Sequence, residues 1–75
     1  MVKAVIIERH KNTARSAAYW RITGEINKAK KCDEDLEVLY KEYPKWEDDL
    51  YTAEEEGRNL GASDWRSEMR NKGLK

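Results

Sequence analysis

Apolar residues in the second half of the chain recur at alternating steps of three and four: Leu36, Leu39, Tyr43, Trp46, Leu50, Ala53, Gly57 and Leu60. That spacing keeps one face of an α-helix apolar over several turns. Asp33, Glu34 and Asp35 precede it and place negative charge where the macrodipole favours a helix start. Pro44 interrupts the seam, because proline lacks a backbone donor and pushes the residue before it, Tyr43, away from helical dihedrals. The pattern therefore predicts two helices, 33–42 and 45–59, with Pro44 in the first turn of the second. Gly61 fits a C-terminal cap. Ser63 and Asp64 offer an N-cap for a last short helix over 64–71, with Trp65 and Met69 on one face and Gly73 as its end.

The first half is less regular. Residues 2–8 are short and β-branched, which favours a strand, and Asn12-Thr13 reads as a helix N-cap after a polar stretch. Residues 14–31 fit two templates. As a helix, Ala14, Ala18, Ile22, Ile26 and Ala29 form one apolar stripe; as a strand, Trp20, Ile22, Gly24 and Ile26 alternate with Tyr19, Arg21, Thr23 and Glu25. The strand template would let 2–8 and 18–26 pair as a hairpin. The Ala-rich start and the length of the segment tip the balance to helix, although Gly24 costs a helix interior about 1 kcal/mol. The fold expected is mainly α: a small single domain of short amphipathic helices over 1–75, with a short N-terminal strand or hairpin as the α+β alternative. No internal repeat or linker divides it.

Composition tightens this picture. In 75 residues, 39% are hydrophobic and 40% charged, so the core is lean. Burial at roughly 25 cal/mol per Å² only narrowly exceeds the entropy lost in ordering such a chain. A disulfide, a metal or association usually supplies the difference. Cys32 is the single cysteine and His10 the single histidine, which leaves no disulfide and no four-ligand zinc set. Association with a partner, or with a second copy as a homo-oligomer, is what remains. No apolar run approaches the ~18 residues a membrane span requires. The opening Met1–Ile7 meets Glu8 too early for a signal-peptide core, and no lipidation motif is present. With a lone thiol, a cytoplasmic setting without membrane contact is expected.

The formal net charge is zero, yet the charges are segregated. Residues 1–31 carry +6, the helical pair in 32–60 carries −8, and the short C-terminal helix in 61–75 carries +2. Three arrangements fit this. The basic segment packs beside the acidic helices, or it contacts a nucleic-acid backbone, or the acidic face docks on a basic partner protein.

Catalytic chemistry finds little support. Asp48-Asp49 and Glu54-Glu55-Glu56 are consecutive carboxylates, which a helix fans about 100° apart per residue, and no EF-hand spacing or nearby histidine accompanies them. Cys32 and His10 lack a third, orienting group. The four glycines are scattered, outside any phosphate-loop pattern. No cofactor is expected and the chain reads as a non-enzyme. Thr13 to Lys31 has the outline of a helix-turn-helix, but Trp20 stands where the turn glycine belongs and Arg21 where an apolar residue does. Non-specific phosphate contact by Arg9, Lys11, Arg15, Arg21, Lys28, Lys30 and Lys31 is the nucleic-acid alternative.

Three Trp and four Tyr without a Phe is a choice suited to half-buried surfaces, since both pair an apolar body with a polar tip. Trp46 lies on the seam and is followed by Glu47, Asp48 and Asp49, with Glu54 and Glu55 two turns on. An aromatic anchor within an acidic rim suits a basic protein. The function expected is a small regulator or inhibitor, of the kind viruses and mobile elements encode. It would engage a basic partner through Trp46, Glu47, Asp48, Asp49, Glu54 and Glu55. A nucleic-acid-binding accessory role for the basic segment stands as the alternative.

Overall fold

Gly24 and Pro44 cut the chain into three helices. In a computed structural model, which describes residues 2–73, α1 spans Lys3–Thr23, α2 spans Ile26–Glu42 and α3 spans Glu47–Gly73, with a single 3₁₀ turn at Pro44–Trp46 before α3. The mainly α expectation holds, and among the described residues there is no strand. Gly24 takes φ +88°, which L side chains resist. Its N–H bonds the Arg21 carbonyl at 3.3 Å and that of Glu25 bonds the Trp20 carbonyl at 2.8 Å. This is the Schellman pattern that satisfies orphan carbonyls at a helix end. The residue weighed above as a burden on a helix interior thus ends one helix and starts the next.

Residues 3–8 are helical, with Val2 as the extended N-cap, which corrects the strand expectation for 2–8. β-Branched residues lose only tenths of a kcal/mol each in a helix. Against that, the helix lines up Ile6, His10, Ala14 and Ala17 on one buried face. Asn12-Thr13 caps nothing; it lies within α1, where the Thr13 hydroxyl donates to the Arg9 carbonyl at 2.9 Å. The acidic triplet 33–35 likewise lies inside α2, whose start is set by Gly24 rather than by charge. The break at Pro44 and the end of α2 at Glu42 fall where the seam predicted them.

Beyond Pro44 the expected pair of helices, 45–59 and 64–71, is one helix. Gly61, Ser63 and Asp64 are interior to α3. Gly61 serves close approach instead of capping. A Cβ placed there would collide with the Arg15 carbonyl oxygen and lie 2.9 Å from Ala18 Cβ. At Gly57, one turn earlier, it would meet the Lys11 carbonyl oxygen and lie 2.8 Å from Ala14 Cβ. These two glycines let the α1 and α3 backbones approach so closely that no side chain fits between them.

Helix α1 is the shared element. It packs along α3 over most of its length and along α2 over less, while α2 and α3 barely meet. Cross-helix partners set the directions. Lys3 with Asp49, His10 with Glu54 and Arg15 with Asp64 make α1 and α3 parallel. Arg21 with Asp33 and His10 with Tyr40 make α1 and α2 antiparallel. The buried apolar set is small: Ile6, Leu36 and Leu50 with four alanines, Ala14, Ala17, Ala29 and Ala53. Among the described residues no helix is long and apolar enough to cross a membrane.

Candidate protein-binding site

The turn between α2 and α3 builds the most distinctive surface of the molecule. Pro44 holds Tyr43 at φ −128°, ψ 62°, off the helical track, and opens the 3₁₀ turn Pro44–Trp46. Side chains three residues apart eclipse one another in such a turn. Tyr43 and Trp46 accordingly stack face to face, with centroids 4.5 Å apart and planes 5° from parallel. Both are half-buried. With Glu42, Pro44 and Lys45 they line a hollow of about 230 Å³.

Carboxylates flank this corner in sequence, with Lys45 among them. Glu42 ends α2 and Glu47, Asp48 and Asp49 form the first turn of α3, where the macrodipole stabilises them. Glu42, Glu47 and Asp48 are exposed. Asp49 is engaged: its Oδ2 accepts from Lys3 Nζ at 2.6 Å, and the same ammonium stands 5.6 Å from the Trp46 ring centre.

The remaining acidic candidates separate. Glu55 is exposed on α3, but Glu54 turns inward and is 7% exposed. The Tyr40 hydroxyl donates to Glu54 Oε1 at 3.2 Å, and Arg58 Nη2 lies 2.8 Å from Oε2. His10, fully buried, places Nε2 3.4 Å from the Tyr40 oxygen and 3.7 Å from Glu54 Oε1. The single Tyr40 proton goes to Glu54, so the Tyr40 oxygen accepts from His10. The neutral imidazole therefore carries its proton on Nε2, and Nδ1 is left buried without a partner. Burial lowers the His10 pKa below 6.5, against a smaller opposing pull from Glu54. Burial, then the Glu54 charge and hydrogen bond, push the Tyr40 phenol well above its ordinary value.

Glu54 is thus removed from the expected docking face by folding: it offsets the burial of polar groups contributed by all three helices. Sequence reasoning missed this network because His10 sits on the α1 face reserved for apolar residues and Glu54 lies beside the Ala53–Gly57 seam in a run of acidic residues. It also passed over Tyr43 as a site residue. A Tyr-Pro-Lys-Trp run across a helix break carries the eclipsed spacing that signals the stack.

Most of the expected nucleic-acid cations are occupied. Arg15 makes a two-pronged pair with Asp64, at 2.6 and 2.8 Å, which holds the Asp64 carboxyl below its usual range. Arg21 pairs with Asp33, and Lys11 lies 3.1 Å from Glu8. Lys28 stands over the Trp20 ring at 4.4 Å. Arg9, Lys30 and Lys31 are exposed without an ion pair among the described residues. The charge segregation is expressed in part inside the molecule, as basic α1 paired with acidic residues of α2 and α3, although the basic segment runs on into the start of α2 at Lys28, Lys30 and Lys31. Cys32 is half-buried, and burial, then Asp35 and Asp33, raise its thiol pKa, the opposite of nucleophile activation. Compared with protein-family models, with curated proteins and with solved structures, the chain matches none, so the functional reading rests on the corner's geometry and chemistry.

Proposed function

We propose that this chain is a non-enzymatic binding protein, a regulator or inhibitor, that docks a basic segment of a partner protein on the corner between α2 and α3. The observation that carries the reading is the stacked, half-buried Tyr43–Trp46 pair, with Glu42 lining the same hollow and Glu47 and Asp48 exposed on the first turn of α3 that follows. A rigid aromatic platform supplies contact area with little entropy to lose, and the surrounding negative charge steers cations toward it. Asp49 contributes at the edge. Glu55 belongs to the exposed face one side further along α3, and Glu54 acts only as internal support.

The test is a titration of the ¹⁵N-labelled chain with a lysine- and arginine-rich peptide. Shifts concentrated at residues 42–49 and at the Trp46 indole are expected, weakening as salt is raised. Shifts confined to Arg9, Lys30 and Lys31, or tighter binding of a DNA or RNA oligonucleotide with a steep salt slope, would contradict it.

A further inference from the structure

Lys3 of α1 reaches both Asp49 and Trp46 at the corner. Its Nζ is 2.6 Å from the Asp49 carboxylate and 5.6 Å from the Trp46 ring centre, the two contacts by which proteins hold an alkylammonium group. Both side chains of the pair remain about half exposed, 48% for Lys3 and 56% for Asp49, so the ammonium is accessible to exchange. Local helix energetics do not account for a lysine here. α1 opens without a side-chain cap and without an acidic residue in its first turn, where a cation is the unfavourable sign. What places Lys3 at the corner is the parallel run of α1 beside α3, which sets the first residue of α1 against the first turn of α3.

We infer that Trp46 and Asp49 form a subsite for one lysine side chain of the basic partner segment, and that Lys3 fills this subsite in the free chain as an intramolecular competitor. The inference rests on the docking corner proposed above. An exposed ion pair of this kind is displaced at little cost, so Lys3 lowers partner affinity by several-fold without abolishing it. It also raises discrimination, since a neutral or acidic segment has nothing with which to displace it.

The experiment measures fluorescence anisotropy of a labelled lysine-rich peptide at fixed low salt against wild type, Lys3→Gln, Asp49→Asn and Arg70→Gln, each with and without Trp46→Ala. Arg70 sits about 35 Å along α3 from the corner, so Arg70→Gln removes the same charge at a distance. Lys3→Gln is expected to bind about 3- to 5-fold tighter than wild type, matching the worth of an exposed ion pair. Asp49→Asn should bind more weakly, and Arg70→Gln within about 1.5-fold of wild type. Lys3→Met, which keeps an apolar stem at the start of α1, should reproduce Lys3→Gln and guards against a loosened α1. Equal tightening by Arg70→Gln and Lys3→Gln, or no tightening by either Lys3 variant while wild type binds in a Trp46-dependent way, overturns the inference alone. Absence of Trp46-dependent binding in wild type and in both Lys3 variants overturns the docking corner itself, and the inference with it.

Discussion

His10 is wholly buried, yet only one of its ring nitrogens has a partner. The folded chain takes up a proton there reluctantly, because charging the imidazole would leave an Nδ1–H donor in the core without an acceptor. With a folded pKa below the unfolded 6.5, the unfolded chain binds the proton first as pH falls. Stability is therefore full above about pH 6.5 and declines as pH drops below it toward the folded value. Circular dichroism melts between pH 7.5 and 5.5, above the range where most carboxylates titrate, should show a falling Tm. A flat profile would mean that His10 is not held neutral. Tyr40 is the hinge of the same network, accepting from His10 and donating to Glu54. Tyr40→Phe leaves both neighbours short of a hydrogen bond and should cost about 1–3 kcal/mol in urea unfolding. No change in midpoint would contradict that accounting.

At the scale of helices, the tight α1–α3 approach at Gly57 and Gly61 decides the fold. Alanine would gain up to ~1 kcal/mol of helix propensity at either position. It would also force a Cβ into the backbone of α1, and overpacking of this kind costs about 1–3 kcal/mol or more. Gly57→Ala and Gly61→Ala should both lower the urea midpoint, while Gly73→Ala, with open space around it, should leave it within error. Equal effects at all three would remove the close approach from the account. The same residues show why the helices were only partly legible in the sequence. The seam from Leu36 to Gly57 and the break at Pro44 obey local rules and were readable. Gly61 reads as a stop in sequence because a helix cap and a close helix crossing both call for glycine, and only the position of α1 distinguishes them. Ser63-Asp64 carried a cap signal for a similar reason, although the Asp64 side chain is taken by Arg15 across the interface. In α1, a buried histidine in the middle of the stripe concealed the period that Ile6, Ala14 and Ala17 would otherwise have shown.

For the whole molecule, the charge segregation and the lean core have a common outcome. Three helices measuring 48 × 23 × 18 Å overall enclose three large aliphatic side chains and depend on alanine, glycine and a polar network for the rest. Ion pairs tie basic α1 to acidic residues of both neighbours. Each exposed pair contributes at most about 1 kcal/mol. Arg15→Leu should accordingly shift the denaturant midpoint only slightly, and a large loss would show the pair to be structural. Trp46, Glu47 and Asp48 follow one another where the 3₁₀ turn runs into α3, a placement that the break at Pro44 makes legible in the sequence. The inward turn of Glu54 and the capture of Asp49 by Lys3 depend on packing between helices far apart in sequence, which no local pattern encodes. The central claim is that the Tyr43–Trp46 corner anchors a basic partner. Its most direct test is the affinity of a lysine- and arginine-rich peptide for wild type and for Trp46→Ala, measured side by side at one salt concentration. A loss of about tenfold or more on removing the indole is the result the account predicts, and equal affinity for the two proteins is the result that would contradict it.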